Sequence, residues 1–185
     1  MRKVITRTAL ILIIGCIVMT VFVRPVAARP IEPDYYYDYE YVTISDAEEL
    51  WIDQSDRSMG KVRLTAYATF KYTYRVSIYG RQLIRIQWHE LELDPWIAKV
   101  YWDFMADGWR TIWCGPVDME LSANIRNGVD VRYSSGSPVT DDYLSVSPNI
   151  ICHVWDVAHC NALYIHERYD GTYDIVSLEV AFIYR

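Results

Sequence analysis

From Lys61 to the C terminus the chain is rich in Val, Ile, Thr, Tyr, Phe and Trp, and no long stretch repeats with a helical period. Strands are predicted at 61–79, 82–93, 96–105, 109–114, 117–125, 129–134, 142–147, 150–155, 160–169 and 172–184. Turn signals divide these short runs at a spacing that excludes a βαβ arrangement. The fold class is therefore all-β, an antiparallel β-sandwich with a β-barrel as the alternative. The chain has 185 residues, 52% of them apolar, enough for one domain with a sizeable core.

The segments before Lys61 read differently. Residues 1–28 combine basic Arg2, Lys3 and Arg7, an apolar run from Thr8 to Val23, and Val26 and Ala28 at the positions a signal peptidase reads. A cleaved signal peptide is expected, with an uncleaved membrane anchor as the alternative; a lipoprotein site at Cys16 is a third reading. Each places the bulk of the chain outside the cytoplasm, either secreted or anchored and facing out. Residues 29–44 hold five tyrosines and few aliphatic side chains, so a Tyr-rich, acidic, disordered leader is expected. Ser45-Asp46-Ala47-Glu48 matches a capping box and predicts a short helix to about Gln54, within a helix-and-loop segment 45–60 that precedes the β domain at 61–185.

Loss of residues 1–28 would leave 14 basic against 24 acidic residues, a net charge of −10. Such a chain has little attraction for nucleic acid, which excludes that class of partner. Contact with a membrane is expected only through the N-terminal segment, if that is uncleaved.

Hydrophobic parity sets expectations for two turns. Ile125 and Val129 share one apolar face only across a three-residue loop at 126–128, with Gly128 in a left-handed bulge. Leu163 and Ile165 align with Leu178 and Val176 only across a two-residue Asp170-Gly171 loop.

The nearly palindromic Cys152-His153-Val154-Trp155-Asp156-Val157-Ala158-His159-Cys160 suggests a hairpin centred on Asp156. Alternation would then put Cys152 and Cys160 on one face and His153 and His159 on the other. In an oxidising compartment a Cys152–Cys160 disulfide is the first expectation, and a bridge from Cys114 to either is the alternative. His153 and His159 are candidate metal ligands, with His89 or His166 as further candidates, although ordinary solvent-facing histidines satisfy the same pattern. His89-Glu90 and His166-Glu167 lack the second histidine of a zinc-protease motif. Glu90 and Glu92 share a strand face but read as a solvated acidic surface.

No nucleophile elbow, phosphate loop or dinucleotide fingerprint is present, so no catalytic residue and no cofactor is implied. What remains is aromatic. Trp88, Trp96, Trp102, Trp109 and Trp113 fall within 26 residues, in a chain with seven Trp and sixteen Tyr. Sheet-mounted rings stack on sugars or fill a partner's pockets; buried core tryptophans are the plainer alternative. The expected function is a secreted or cell-surface binding protein that recognises a protein or carbohydrate through these rings. A self-assembling structural subunit that pairs through edge strands is the alternative, and a secreted metal-dependent hydrolase is a third class.

Overall fold

A computed structural model describes residues 34–53, 59–126, 132–134, 138–168 and 170–185; the predicted signal segment and residues 29–33 of the leader lie outside them. The described chain is all-β, in two antiparallel sheets. The first sheet contains β1 (Tyr36–Asp53), β2 (Met59–Ser77), β3 (Gly80–Asp103) and β4 (Gly108–Pro116) in that order, and the short β8 (Leu144–Val146) and β9 (Ile150–Ile151) also pair with β3. The second is ordered β11 (Tyr173–Ile183), β10 (Val157–Glu167), β5 (Met119–Arg126) and β6 (Arg132–Ser134), with β7 (Val139–Asp141) also on β5. Neither sheet closes into a barrel.

Strand lengths differ sharply between the two. β3 has 24 residues and β10 and β11 have 11 each, so at roughly 3.3 Å per residue the first sheet runs about 80 Å and the second about 36 Å. The long sheet therefore extends past the short one.

Alternation fixes what is buried. Val62, Leu64, Ala66, Ala68 and Phe70 of β2 and Trp88, Leu91 and Leu93 of β3 join Met119, Leu121, Ala123 and Ile125 of β5 in one core cluster. Ala158, Cys160 and Ala162 of β10 and Leu178, Val180 and Phe182 of β11 complete it. Where the sheets meet, many of these side chains are small.

Several expectations need correction. The predicted short helix at 45–54 does not form. Residues 36–53 are one strand that pairs residue for residue with β2, from Tyr36 opposite Val76 to Asp53 opposite Met59. Eighteen ladder positions outweigh a local cap signal, because helix propensity is a weak prior that tertiary pairing overrides. The same strand takes up Tyr36 to Ile44, expected to be disordered, so the β domain begins well before Lys61. Glu48 has another partner: its carboxylate accepts the Glu179 backbone N–H on β11, and an acidic side chain thus satisfies a donor on that edge strand.

Both turn registers differ from expectation. Ile125 pairs with Tyr133 rather than Val129, and Asn127-Gly128 itself lies outside the described residues. Beyond β10, the Arg168 N–H donates to the Thr172 carbonyl and the Gly171 N–H to the Arg168 carbonyl, with Gly171 at φ 78°. That is the longer, bulged turn, and it shifts the register by one, so Ile165 faces Ile175 and Ala162 faces Leu178. The inward face of β10 is the small-residue face, and Ile165 is exposed.

These assignments predict a contrast within one sheet. Leu121→Ala, in the core, should lower unfolding free energy by about 2–5 kcal/mol, whereas Ile165→Ala should change it by no more than about 0.5 kcal/mol. Equal losses in denaturant titrations would reject the register.

Candidate functional site

The side of the first sheet that faces away from the core is built by register. Residues directly opposite in an antiparallel pair share a face. Trp51 lies opposite Lys61, Lys61 opposite Ala98, and Ala98 opposite Trp113. One row along, Glu49 lies opposite Arg63, Arg63 opposite Trp96, and Trp96 opposite Pro116. Further out, Trp102 lies opposite Trp109, their rings edge-to-face at 5.5 Å. Four of the five predicted tryptophans, Trp96, Trp102, Trp109 and Trp113, therefore share this outer face.

The fifth does not. Trp88 is fully buried in the core, 4.6 Å from the Phe70 ring, because a register shift at Thr69/Phe70 turns it inward. Its place on the outer face is taken by Trp51, which is exposed. Trp51 falls within the segment whose capping box predicts a helix, and that local signal hides its alignment with the other rings.

Cations are interleaved with the rings. The Lys61 ammonium sits 4.5 Å from the Trp51 centroid, and the Arg63 guanidinium lies 4.0 Å over Trp113. Glu49 holds both cations, at 3.3 Å from Lys61 and 3.9 Å from Arg63. The Trp96 indole N–H donates to Asp94 at 2.7 Å, which fixes that ring on the sheet. Next on this face come Asp94, Glu92 and Glu90, paired with Thr65, Tyr67 and Thr69. Ser145 donates to Glu90 at 2.8 Å. Desolvation, and then its hydrogen bond to Glu92, raise the Tyr143 pKa above the usual phenol range. Glu90 and Glu92 do share a face, as their spacing implied, and they adjoin the aromatic rows. At the far end the Lys71 ammonium lies 4.3 Å from the Tyr39 centroid, and the Tyr41 ring is 4.9 Å from His89.

The palindrome is organised differently from the expected hairpin. β9 belongs to the first sheet and β10 to the second, so residues 152–156 are the crossover between sheets. Asp156, its centre, is fully buried, and its carboxylate accepts the His153 backbone N–H at 2.8 Å. Tyr184 donates its N–H to the Asp156 carbonyl, and Trp155, at φ 75°, donates to the Tyr184 carbonyl. The crossover is thus tied to the end of the chain. Cys152 and Cys160 are consequently not cross-strand neighbours, and Cys114, Cys152 and Cys160 are free thiols. Cys160 points into the core, Cys152 is half-buried, and Cys114 is exposed on β4.

The two candidate metal ligands part company as well. His153 is exposed beside Asp156, at 3.5 Å, whereas the His159 ring engages Glu179 on the second sheet. Among the described residues no three His, Cys, Asp or Glu side chains are grouped to hold a metal ion. A small polar concavity lined by Asn124, Arg126, His159 and Asn161 opens on that sheet. Comparison with protein-family models, curated proteins and solved structures found no match.

The thiols offer a check. Burial pushes Cys160 up to about 12, and burial followed by the Asp156 charge does the same to Cys152. At pH 8 only roughly one in ten thousand of either thiol is ionised, so iodoacetamide should modify Cys114 and spare both until the chain unfolds. Peptide mapping that finds Cys152 or Cys160 labelled in the folded chain would contradict these placements. Both thiols hold their proton more tightly folded than unfolded, where the ordinary value is 9.0. Their contribution to stability is therefore complete below about pH 9 and falls as pH rises towards 12.

Proposed function

We propose that this chain is an exported antiparallel β-sandwich, secreted or displayed at the cell surface, that recognises a partner protein or glycan through the aromatics on the outer face of its larger sheet. One observation carries the reading: Trp51, Trp96, Trp102, Trp109 and Trp113 stand on the side of the sheet away from the core. Indole rings kept out of a core on rigid strands are the side chains that dominate binding energy at interfaces, and they stack on pyranose faces. Lys61 and Arg63 lie against two of them and hold the rings in place. Asp94, Glu92 and Glu90 beside Trp96 supply acceptors for hydroxyl groups and would repel an anionic ligand, which points to a neutral glycan or a basic protein surface.

Self-assembly through edge strands is the second reading, because β1 and β11 end their sheets. Charge works against its symmetric form. β1 carries Asp38, Glu40, Asp46, Glu48, Glu49 and Asp53 and no basic residue, so two β1 strands side by side would set acid against acid. A secreted metal-dependent hydrolase, the third class, draws no support from the placement of the histidines.

The test is a binding screen against neutral and acidic glycan panels and captured extracellular proteins, followed by Trp51→Ala with Trp113→Ala. The double variant should keep its unfolding midpoint close to that of the parent and lose binding by about tenfold or more, the range of aromatic hot spots. Unchanged affinity in the folded double variant would overturn the assignment, and light scattering that shows a concentration-dependent oligomer would favour the second reading.

A further inference from the structure

The β3–β4 hairpin carries apolar side chains in a pattern that a flat docking face does not explain. At its apex Phe104 and Met105 are 87% and 98% exposed. Below them Trp102 and Trp109 cover one face of the hairpin, and Tyr101 and Ile112, in the alternate register, occupy the other. All four are exposed, so apolar side chains flank the tip on both sides, on the second side interleaved with Lys99 and Arg110, which lie opposite Ile112 and Tyr101. A partner surface covers one side of a sheet. A fluid medium covers both sides and the tip together.

The tip is also held rigid. The Asp103 carboxylate accepts the Met105 and Ala106 N–H groups at 2.9 and 3.2 Å, and Asp107 at φ 48° completes the turn before Gly108. An ordered turn that keeps Phe104 and Met105 in water is costly unless they are covered in use.

We propose that the β3–β4 hairpin inserts into the headgroup region of an electrically neutral lipid bilayer, with Phe104 and Met105 leading and Trp102, Trp109 and Tyr101 at the boundary between acyl chains and water. Tryptophan and tyrosine are enriched at that boundary because each ring joins an apolar body to a polar group. From the apex back to the row of Tyr101 and Arg110 the hairpin measures roughly 10 Å, the depth to which interfacial elements settle, and Ile112, opposite Lys99, lies two residues further back. The charges of the hairpin have both signs: Asp103 and Asp107 flank the turn at the tip, Arg110 pairs with Asp103 at 3.5 Å, and Lys99 lies further back. A zwitterionic headgroup layer matches such a mixture. A strongly anionic surface would repel a chain of net charge −6. The proposal shares Trp102 and Trp109 with the recognition face and leaves Trp51, Trp96 and Trp113 to the partner when the hairpin is inserted, and it does not depend on that reading.

The test uses the full chain with Cys16→Ser and Cys114→Ser and an environment-sensitive fluorophore on Met105→Cys or, as a control, on Tyr79→Cys. Tyr79 is 83% exposed at the β2–β3 turn, the other end of β3, so the two labels differ in place rather than exposure. With phosphatidylcholine vesicles, the label at 105 should shift to the blue, lose intensity to a quencher carried on the lipid, and respond equally at low and high salt. The label at 79 should show no response to the vesicles. Phe104→Asp should weaken the signal at 105 about tenfold, the loss expected when one large apolar side chain no longer leaves water. No response at 105 would overturn the proposal even if the chain floats with the vesicles through its N-terminal apolar run, and so would equal responses at the two positions. Glycan and protein binding is scored without lipid, so failure here leaves the recognition reading standing.

Discussion

The two sheets meet over side chains that are mostly small. Ala66 and Ala68 on β2 face a second sheet whose central inward positions are Ala123, Ala158, Cys160 and Ala162. Leucines, isoleucines, valines and Met119 fill much of the rest of the contact, and among the described residues the buried aromatic rings are Phe70, Trp88 and Phe182, with Phe70 packed against Trp88 and Tyr184. A chain with seven tryptophans and sixteen tyrosines cannot house them in such a core. Close packing penalises overfilling as well as voids, so most of the rings are placed outside it. The outer aromatic face is the complement of the small-residue interior.

Sheet length carries the consequence further. Where β1, β2 and β3 run past the second sheet, no hydrophobic layer among the described residues covers their inner side, and the strands are held by contacts within the sheet. Arg75 lies 4.3 Å over Tyr35 and Arg81 3.5 Å over Tyr74. Arg81 also reaches Asp38 at 3.1 Å and Glu40 at 3.4 Å. Each such contact is worth only about 0.5–1 kcal/mol at an exposed site, so the ends depend on the eighteen-residue ladder between β1 and β2 to hold the rings in register. The overhang at the β3–β4 end uses the same device with different side chains.

Much of this was legible in the sequence. The all-β class and most strand positions from Lys61 onward followed from β-branched and aromatic runs broken by turn residues. The clustered tryptophans fall on β3 and β4. Other features were hidden for physical reasons. β1 has both sides largely exposed over much of its length, so Asp38 to Glu49 shows no apolar alternation, and Ser45 to Glu48 imitates a helix cap. β10 conceals its inward face because Ala158, Cys160 and Ala162 are less conspicuous than Leu163 and Ile165, and the alanines win only because Ala66 and Ala68 bring the sheets together. Trp88 was grouped with its neighbours because the irregularity at Thr69/Phe70, which reverses its side, has no signature in composition. The palindrome gave Asp156 its central role but not its chemistry, since a buried carboxylate that binds its own turn looks in sequence like the tip of a hairpin.

The claim at the centre is that the tryptophans divide between a sealed core and an open face. Oxidative footprinting of the folded chain, read by mass spectrometry at each indole, tests it directly. Trp109, 60% exposed, and Trp51 should be modified early, Trp96 and Trp113 more slowly, and Trp88 only as the chain unfolds. Modification of Trp88 at the rate of Trp109, or protection of Trp51 and Trp109 at the level of Trp88, would contradict the account.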